Sequence, residues 1–160
     1  MEKLNLQKIL SLCIAVLSLV AVIMIFVPAV KADSMLGTSS YNGLKVVFGH
    51  KEEGMKLFSF SFLNLLTYLL ALAVLVCGLL SFKKEDKVLS IVVCVLAVLT
   101  AVFFLLTKNF VVFPKELKDI KKEFVEAYDL GAGPIVGTIM MFLAAAASGA
   151  KVALTVLKKD

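Results

Sequence analysis

Two apolar stretches joined by a short charged turn decide the fold. They are "LFSFSFLNLLTYLLALAVLVCGLLSF" (Leu57–Phe82) and "VLSIVVCVLAVLTAVFFLLT" (Val88–Thr107), and the turn between them is "KKEDK" (Lys83–Lys87). A helix needs about 20 apolar residues to cross a bilayer, and both stretches reach that length. Because the turn is so short, the two predicted helices must be antiparallel neighbours.

Two further stretches, Ile9–Val30 and Pro134–Leu157, are as apolar. None of the four contains Asp or Glu, and Lys151 is the one lysine within them. The 160 residues are 61% hydrophobic with a mean hydropathy of +0.99, whereas soluble domains are about half apolar. The sequence therefore predicts an all-α integral membrane protein, a single antiparallel bundle of four transmembrane helices. We expect an uncleaved first span, because its apolar run is longer than that of a signal peptide.

Lysines predict the orientation of the chain in the membrane. The two tails and the charged turn hold seven lysines in short segments: Lys3, Lys8, Lys83, Lys84, Lys87, Lys158 and Lys159. The loops 31–56 and 108–133 hold nine, at lower density. Since lysine-rich short segments stay on the cytoplasmic side, we expect both termini in the cytoplasm and both long loops outside. The predicted location is the cell membrane.

The first long loop carries a predicted β-hairpin. Asn42-Gly43 is a strong signal for a two-residue turn, because both central positions of a type I′ turn need a positive φ. The flanking segments Met35–Tyr41 and Leu44–Phe48 would be its strands. A lone hairpin is marginally stable in water, so this one needs a third strand or a surface to pack on.

The second long loop offers both. Asn109–Phe113 is an extended apolar run that is either this third strand or the end of the third span. After Pro114, apolar residues recur at helical spacing, which predicts a short amphipathic helix: Leu117, Ile120, Phe124 and Tyr128. That helix would cover the sheet, rest on lipid headgroups or merely cap the bundle.

The hairpin and this helix together would form an extracellular cap available for recognition. The residues we expect to bind a partner there are Tyr41, Asn42, Gly43, Val47, Phe48, Phe113, Phe124 and Tyr128.

In layout the chain resembles the claudin-type four-span membrane proteins. Those have a cytoplasmic N-terminus, a β-sheet in the first outer loop and a shorter second loop with a helix. Of that family's first-loop pattern, Trp…Gly-Leu-Trp followed by two cysteines, only Gly43-Leu44 is present. The resemblance implies a structural or accessory role, but not the family's disulfide. The chain is also similar in style to small four-span proteins of low-G+C bacteria.

Three cysteines and a lysine lie at a similar predicted depth near the cytoplasmic surface: Cys13, Cys77, Cys94 and Lys151. Such a layer would bind Cu(I) or Zn²⁺ or carry out redox chemistry. Alternatively the cysteines fill helix interfaces, while Lys151 extends its amine to the headgroups. We favour the second interpretation and expect no metal and no cofactor.

Span two carries a polar stripe, Ser61, Asn64 and Tyr68, on one helical face. It either bonds to a neighbouring helix, which we favour, or lines a path for a ligand or water. Small residues that allow close packing of helices occur on spans two and four, either within one bundle or between copies: Ala73, Cys77, Ala144, Ser148 and Gly149.

We expect a non-enzymatic multi-pass protein whose cap mediates protein–protein interaction or self-association. The expected partners are the lipid bilayer and another membrane or extracellular protein, or a second copy. A small oligomeric channel or transporter subunit is the alternative, and a membrane thiol oxidoreductase ranks third. His50 is the one histidine and lacks a catalytic neighbour. Seventeen lysines and no arginine argue against nucleic-acid recognition and suit an AT-rich, bacterial genome.

Overall fold

A computed structural model describes residues 6–34, 37–52, 54–83 and 86–157. Its α-helices are α1 (Leu6–Ile23), α2 (Gly43–Phe48), α3 (Phe62–Lys83), α4 (Lys87–Leu105), α5 (Lys121–Ala127) and α6 (Ala132–Leu157). Its strands are β1 (Pro28–Ser34), β2 (Gly37–Asn42), β3 (His50–Glu52), β4 (Met55–Phe58) and β5 (Asp129–Leu130). Three 3-10 turns cover Met24–Phe26, Thr107–Phe110 and Lys115–Ile120.

Within the described residues, four helices are long and apolar enough to cross a membrane: α1, α3, α4 and α6. They pack in a closed ring in the order α1, α3, α4, α6. Large apolar side chains cover the outside of this ring, for example Leu12, Val76, Val95 and Phe142. An apolar surface of that extent is unusual for a protein in water, so it suggests a multi-pass membrane protein. The four predicted spans are confirmed as helices.

The span ends differ from the prediction because apolar residues also build the cap. The first span ends near Phe26, and Pro28–Val30 begin β1 instead. Likewise, Leu57 and Phe58 belong to β4, so the second helix starts at Phe62. An apolar run marks burial, but it does not say whether lipid or a small protein core covers it.

The predicted hairpin turn at Asn42-Gly43 is wrong. Gly43–Phe48 is a helix, and the Asn42 side chain caps it by accepting a hydrogen bond from the Lys45 N–H at 3.0 Å. Asn is a favoured N-cap residue because its oxygen satisfies such a free N–H. The first strand's predicted start, Met35, lies outside the described residues.

A hairpin does exist, one strand earlier in the chain. β1 pairs antiparallel with β2, with Val30 opposite Tyr41, and β5 pairs with the other edge of β1. The third strand therefore comes from the second long loop, but from Asp129–Leu130 and not from Asn109–Phe113. In that segment, Val112 forms only an isolated bridge to Ser59.

The predicted amphipathic helix is confirmed in outline: a 3-10 turn from Lys115 to Ile120 continues into α5. Phe124 is its buried anchor, while Ile120 is exposed. The helix lies over the cap core, which we define as Ala29, Val30, Val46, Phe58, Val111, Phe113 and Phe124. The helix therefore packs on the cap core, which includes Ala29 and Val30 of β1.

The helix ends that carry Lys8, Lys83 and Lys87 lie at the opposite end of the bundle from the cap. Lys83 and Lys87 end α3 and begin α4 there, and Lys8 lies in the first turns of α1. Lys3, Lys84, Lys158 and Lys159 lie outside the described residues.

We expect Gly43→Ala to destabilise the protein. A Cβ at this position would lie 2.5 Å from the Tyr68 hydroxyl and 2.7 Å from the Ile25 carbonyl oxygen, and such overpacking costs about 1–3 kcal/mol. SDS-induced unfolding followed by circular dichroism measures the change.

Gly149→Ala is the matched control. Among the described residues, no atom outside the neighbouring backbone of α6 lies within 4 Å of the added Cβ. Replacing a mid-helix glycine by alanine stabilises by about 0.5–1 kcal/mol. Equal effects of the two variants would contradict the close contact at Gly43.

Candidate functional site

An aromatic cluster forms the interior of the cap. Phe58 stands edge-on to Phe113 and Phe124, with ring centroids 5.7 and 5.6 Å away. Tyr41 meets Phe58 edge-on at 4.9 Å, and Tyr128 stacks on Phe124 at 4.1 Å. Edge-on and offset aromatic pairs add stability beyond the area that they bury. This cluster therefore joins β2, β4, α5 and the start of the second long loop into one unit.

An open groove of about 470 Å³ lies on this cluster. We call it the cap groove and define it by its accessible walls: Tyr41, Met55, Leu57, Ile120, Glu123 and Tyr128. Met55 is 71% exposed and Ile120 is 43% exposed. The volume is typical of binding pockets, which are largely apolar with a few polar groups.

A hydrogen bond fixes the Tyr41 side of the groove. The Tyr41 hydroxyl donates to a carboxylate oxygen of Glu52 at 3.0 Å, and Lys45 Nζ lies 5.8 Å from the centroid of its ring. Burial, together with this hydrogen bond, raises the pKa of the Tyr41 phenol, because both favour the neutral form. At neutral pH the groove wall therefore carries a hydroxyl and not a phenolate.

Lys108 fixes the other wall. Its Nζ donates to the carbonyl oxygens of Val125 at 3.1 Å and Tyr128 at 3.5 Å. These carbonyls lie at the end of α5, where the helix leaves acceptors unsatisfied and where a cation is favourable. Lys108 thus ties α5 to the end of α4.

Only half of the predicted partner-binding residues meet at this groove. Tyr41 and Tyr128 form its walls, and Phe113 and Phe124 its floor. Asn42 instead caps α2, and Gly43 begins that helix close to Tyr68 of the bundle. Val47 is fully buried in the bundle core, and Phe48 is exposed beside Phe60, 6.4 Å away between ring centroids.

Sequence reasoning missed the β4 wall of the groove. The sequence places Met55 in the first long loop, and Leu57 and Phe58 in the second span. The signal that identifies this strand is Gly54, which has a positive φ of 85° between two short segments that pair as β3 and β4. A glycine in a short connection between extended segments is typical of a hairpin.

The three cysteines do not gather into one cluster. Cys13 is exposed on the outside of the bundle, while Cys77 and Cys94 are half-buried. Among the described residues no group of three His, Cys, Asp or Glu side chains could hold a metal ion. The Cys94 thiol lies 3.5 Å from the Ala145 carbonyl oxygen, a helix-interface contact.

Lys151 does not extend to the surface either. It is only 1% exposed, and its Nζ donates to Ser11 Oγ at 2.6 Å, to the Ser81 carbonyl oxygen at 2.8 Å and to Ser81 Oγ. Lysine has three donors, and these three acceptors lie on α1 and α3. Lys151 therefore links α6 to both of these helices in the half of the bundle away from the cap.

The polar stripe of the second span, from Ser61 just before α3 to Tyr68 within it, is buried, and its members differ in their contacts. Ser61 Oγ donates to the Phe110 carbonyl oxygen at 2.6 Å. The side-chain amide of Asn64 and the hydroxyl of Tyr68 make no hydrogen bond within the described part of the chain. Further along this face, Ala71 and Val74 are buried and apolar.

The small residues of α6 pack within the bundle. Ser148 Oγ donates to the Ser90 carbonyl oxygen of α4 at 2.7 Å, and Ala144 is fully buried in the bundle core. Cys77 packs against that core, Ala73 is half-buried, and Gly149 has open space where a Cβ would lie. This arrangement agrees with packing inside one bundle.

Comparison with models of protein families, with curated proteins and with solved structures finds no match to this chain. The resemblance to claudin-type proteins therefore stays a prediction.

We expect Ser11→Ala to lower the free energy of unfolding by about 1–3 kcal/mol, since it removes an acceptor from a buried amine. Ser18→Ala is the matched control on the same helix, because the Ser18 Oγ donates back to the Ile14 carbonyl oxygen of α1 at 2.7 Å and not, among the described residues, to another helix. SDS titration of both variants measures the difference, and equal losses would contradict the proposed link through Lys151.

We expect the wild-type protein to lose stability as the pH rises above about 10, the ordinary pKa of tyrosine. With a raised pKa the folded state keeps the Tyr41 proton after the unfolded state has lost it, so stability falls with pH in that window. Tyr41→Phe removes this contribution. Thermal unfolding of both proteins between pH 8 and pH 11 tests this contribution. If the melting temperatures of the two proteins fall in parallel as the pH rises, Tyr41 does not contribute.

Proposed function

We propose that this chain is a non-enzymatic protein of the cell membrane, whose cap lies outside the cell and binds another protein. The cap groove is the observation that supports this most directly. It combines exposed apolar walls, such as Met55 and Ile120, with a preformed aromatic floor. Apolar and aromatic surface of this kind is typical of the central part of protein interfaces.

The proposed orientation follows from the lysines. Lys8, Lys83 and Lys87 lie at the end of the bundle away from the cap, and short lysine-rich segments favour the cytoplasmic side. An external cap fits the role of a structural or accessory subunit, which the claudin-like layout implies.

The proposal is tested by photo-crosslinking in intact cells. With benzoylphenylalanine in place of Met55, we expect a specific protein adduct, whereas the same group in place of the exposed Phe48 of the cap should give none. Ala127 also lines the groove, so Ala127→Trp should fill it and abolish the adduct.

Lys122→Trp is the matched control, because Lys122 is exposed on another face of α5. This variant should keep the adduct. Equal cross-linking from positions 48 and 55, or an adduct that survives Ala127→Trp, would contradict binding at the groove.

A small channel or transporter subunit is the second candidate, and one observation favours it. The buried Asn64 amide and Tyr68 hydroxyl lack hydrogen-bond partners among the described residues, and such groups usually have a partner such as water. Solute flux into proteoliposomes tests this candidate. Flux with the wild-type protein that is lower with Asn64→Leu would support transport, and no flux with the wild-type protein would contradict it.

A further inference from the structure

The edge of β4 borders the cap groove and is incompletely paired. One edge of β4 pairs with β3, with Lys56 opposite Lys51. Just beyond its end, the Ser59 N–H donates to the Val112 carbonyl oxygen at 2.8 Å. Within the part of the chain that the structure describes, no strand continues from this bridge along Met55–Phe58.

The chain itself leaves this edge at Pro114. After Phe113 the backbone turns into the 3-10 helix from Lys115 to Ile120, which diverges to form the opposite wall of the groove. The groove is thus the space between an edge strand and a helix. An exposed edge strand beside pockets for side chains is the arrangement by which domains bind an extended peptide as an added strand.

Two lysines beside this edge favour acidic side chains in an added strand. The described carboxylates nearby are placed differently: Glu52, opposite Met55, accepts a hydrogen bond from the Tyr41 hydroxyl, and Glu123 lies on the helical wall of the groove. Lys51 and Lys56 are both exposed and lie directly opposite each other, and like charges in that position destabilise a sheet. Lys56 does not line the groove, whereas its neighbours Met55 and Leu57 do. An added strand would therefore place apolar side chains in the groove and alternate acidic side chains beside the two lysines.

We propose that the cap groove binds an extended segment of a partner protein, with alternating apolar and acidic residues, as an additional strand on β4. This inference rests on the proposed function, since it names the kind of segment that the cap binds. Backbone hydrogen bonds to β4 would give affinity, and the groove and Lys56 would give specificity.

The test uses the full-length protein in nanodiscs of phosphatidylcholine and an eight-residue peptide of alternating valine and glutamate. We expect saturable binding that is absent from empty nanodiscs, and binding about tenfold weaker for a peptide of alternating valine and lysine. Hydrogen–deuterium exchange should show new protection of backbone N–H groups within Met55–Phe58.

Lys56→Glu should weaken binding of the glutamate peptide about tenfold. Lys122→Glu makes the same charge change on α5 outside the groove and should leave binding unchanged. Both lysines are exposed, so neither change should impair folding, which circular dichroism confirms before binding is measured.

Three results would overturn the inference. They are no binding of the glutamate peptide, equal weakening by the two variants, or binding without protection of β4.

Two results would assign the groove to another occupant. If lauric acid displaces the peptide and leaves β4 unprotected, the groove binds an acyl chain. If the cross-link at position 55 joins two copies of the protein, the groove serves self-association. The cross-linking experiment distinguishes failure of this inference from failure of the proposed function. If Met55 cross-links to a partner protein and Ala127→Trp abolishes that adduct, the proposed function stands even when the glutamate peptide does not bind.

Discussion

The structure depends on one short helix that is buried on two sides. Val46 and Val47 are neighbours in sequence, yet Val46 belongs to the cap core and Val47 to the bundle core. Gly43, at the start of this helix, lets the backbone approach Tyr68 and Ile25 more closely than any side chain would allow. Because α2 is wedged in this way, the cap is held to the bundle by packing as well as by the chain connections.

The cap groove depends on that attachment. Its walls come from segments far apart in sequence: β2, β4, and the helix that follows Pro114. The aromatic floor holds these segments together, and Lys108 ties α5 to the end of α4. A groove fixed in this way would lose little conformational entropy on binding, which favours affinity. The bundle thus supports a preformed groove.

Buried polar residues lie in both halves of the bundle, and away from the cap Gln7 Oε1 also lacks a hydrogen-bond partner among the described residues. Away from the cap, Ser11 and Ser81 surround the Lys151 amine, so this polar group is bonded within the helices that it links. Near the cap, the Asn64 amide and Tyr68 hydroxyl have no such partners among the described residues. Buried polar groups fix helix positions when bonded, and the unbonded pair is the feature that keeps a transport role open to test.

The sequence by itself determined the four helices, their antiparallel order and the presence of an amphipathic helix in the second long loop, because these follow from the length of apolar runs and from local spacing. Tertiary structure alone decided that Gly43–Phe48 is a helix, that Asp129–Leu130 is the third strand, and that Leu57 and Phe58 leave the second span to form a groove. In each of these segments β-forming or apolar residues fit several local conformations, and burial against distant residues selects one. Lys151 shows the same limit, since no local pattern reveals that serines on two other helices surround its amine.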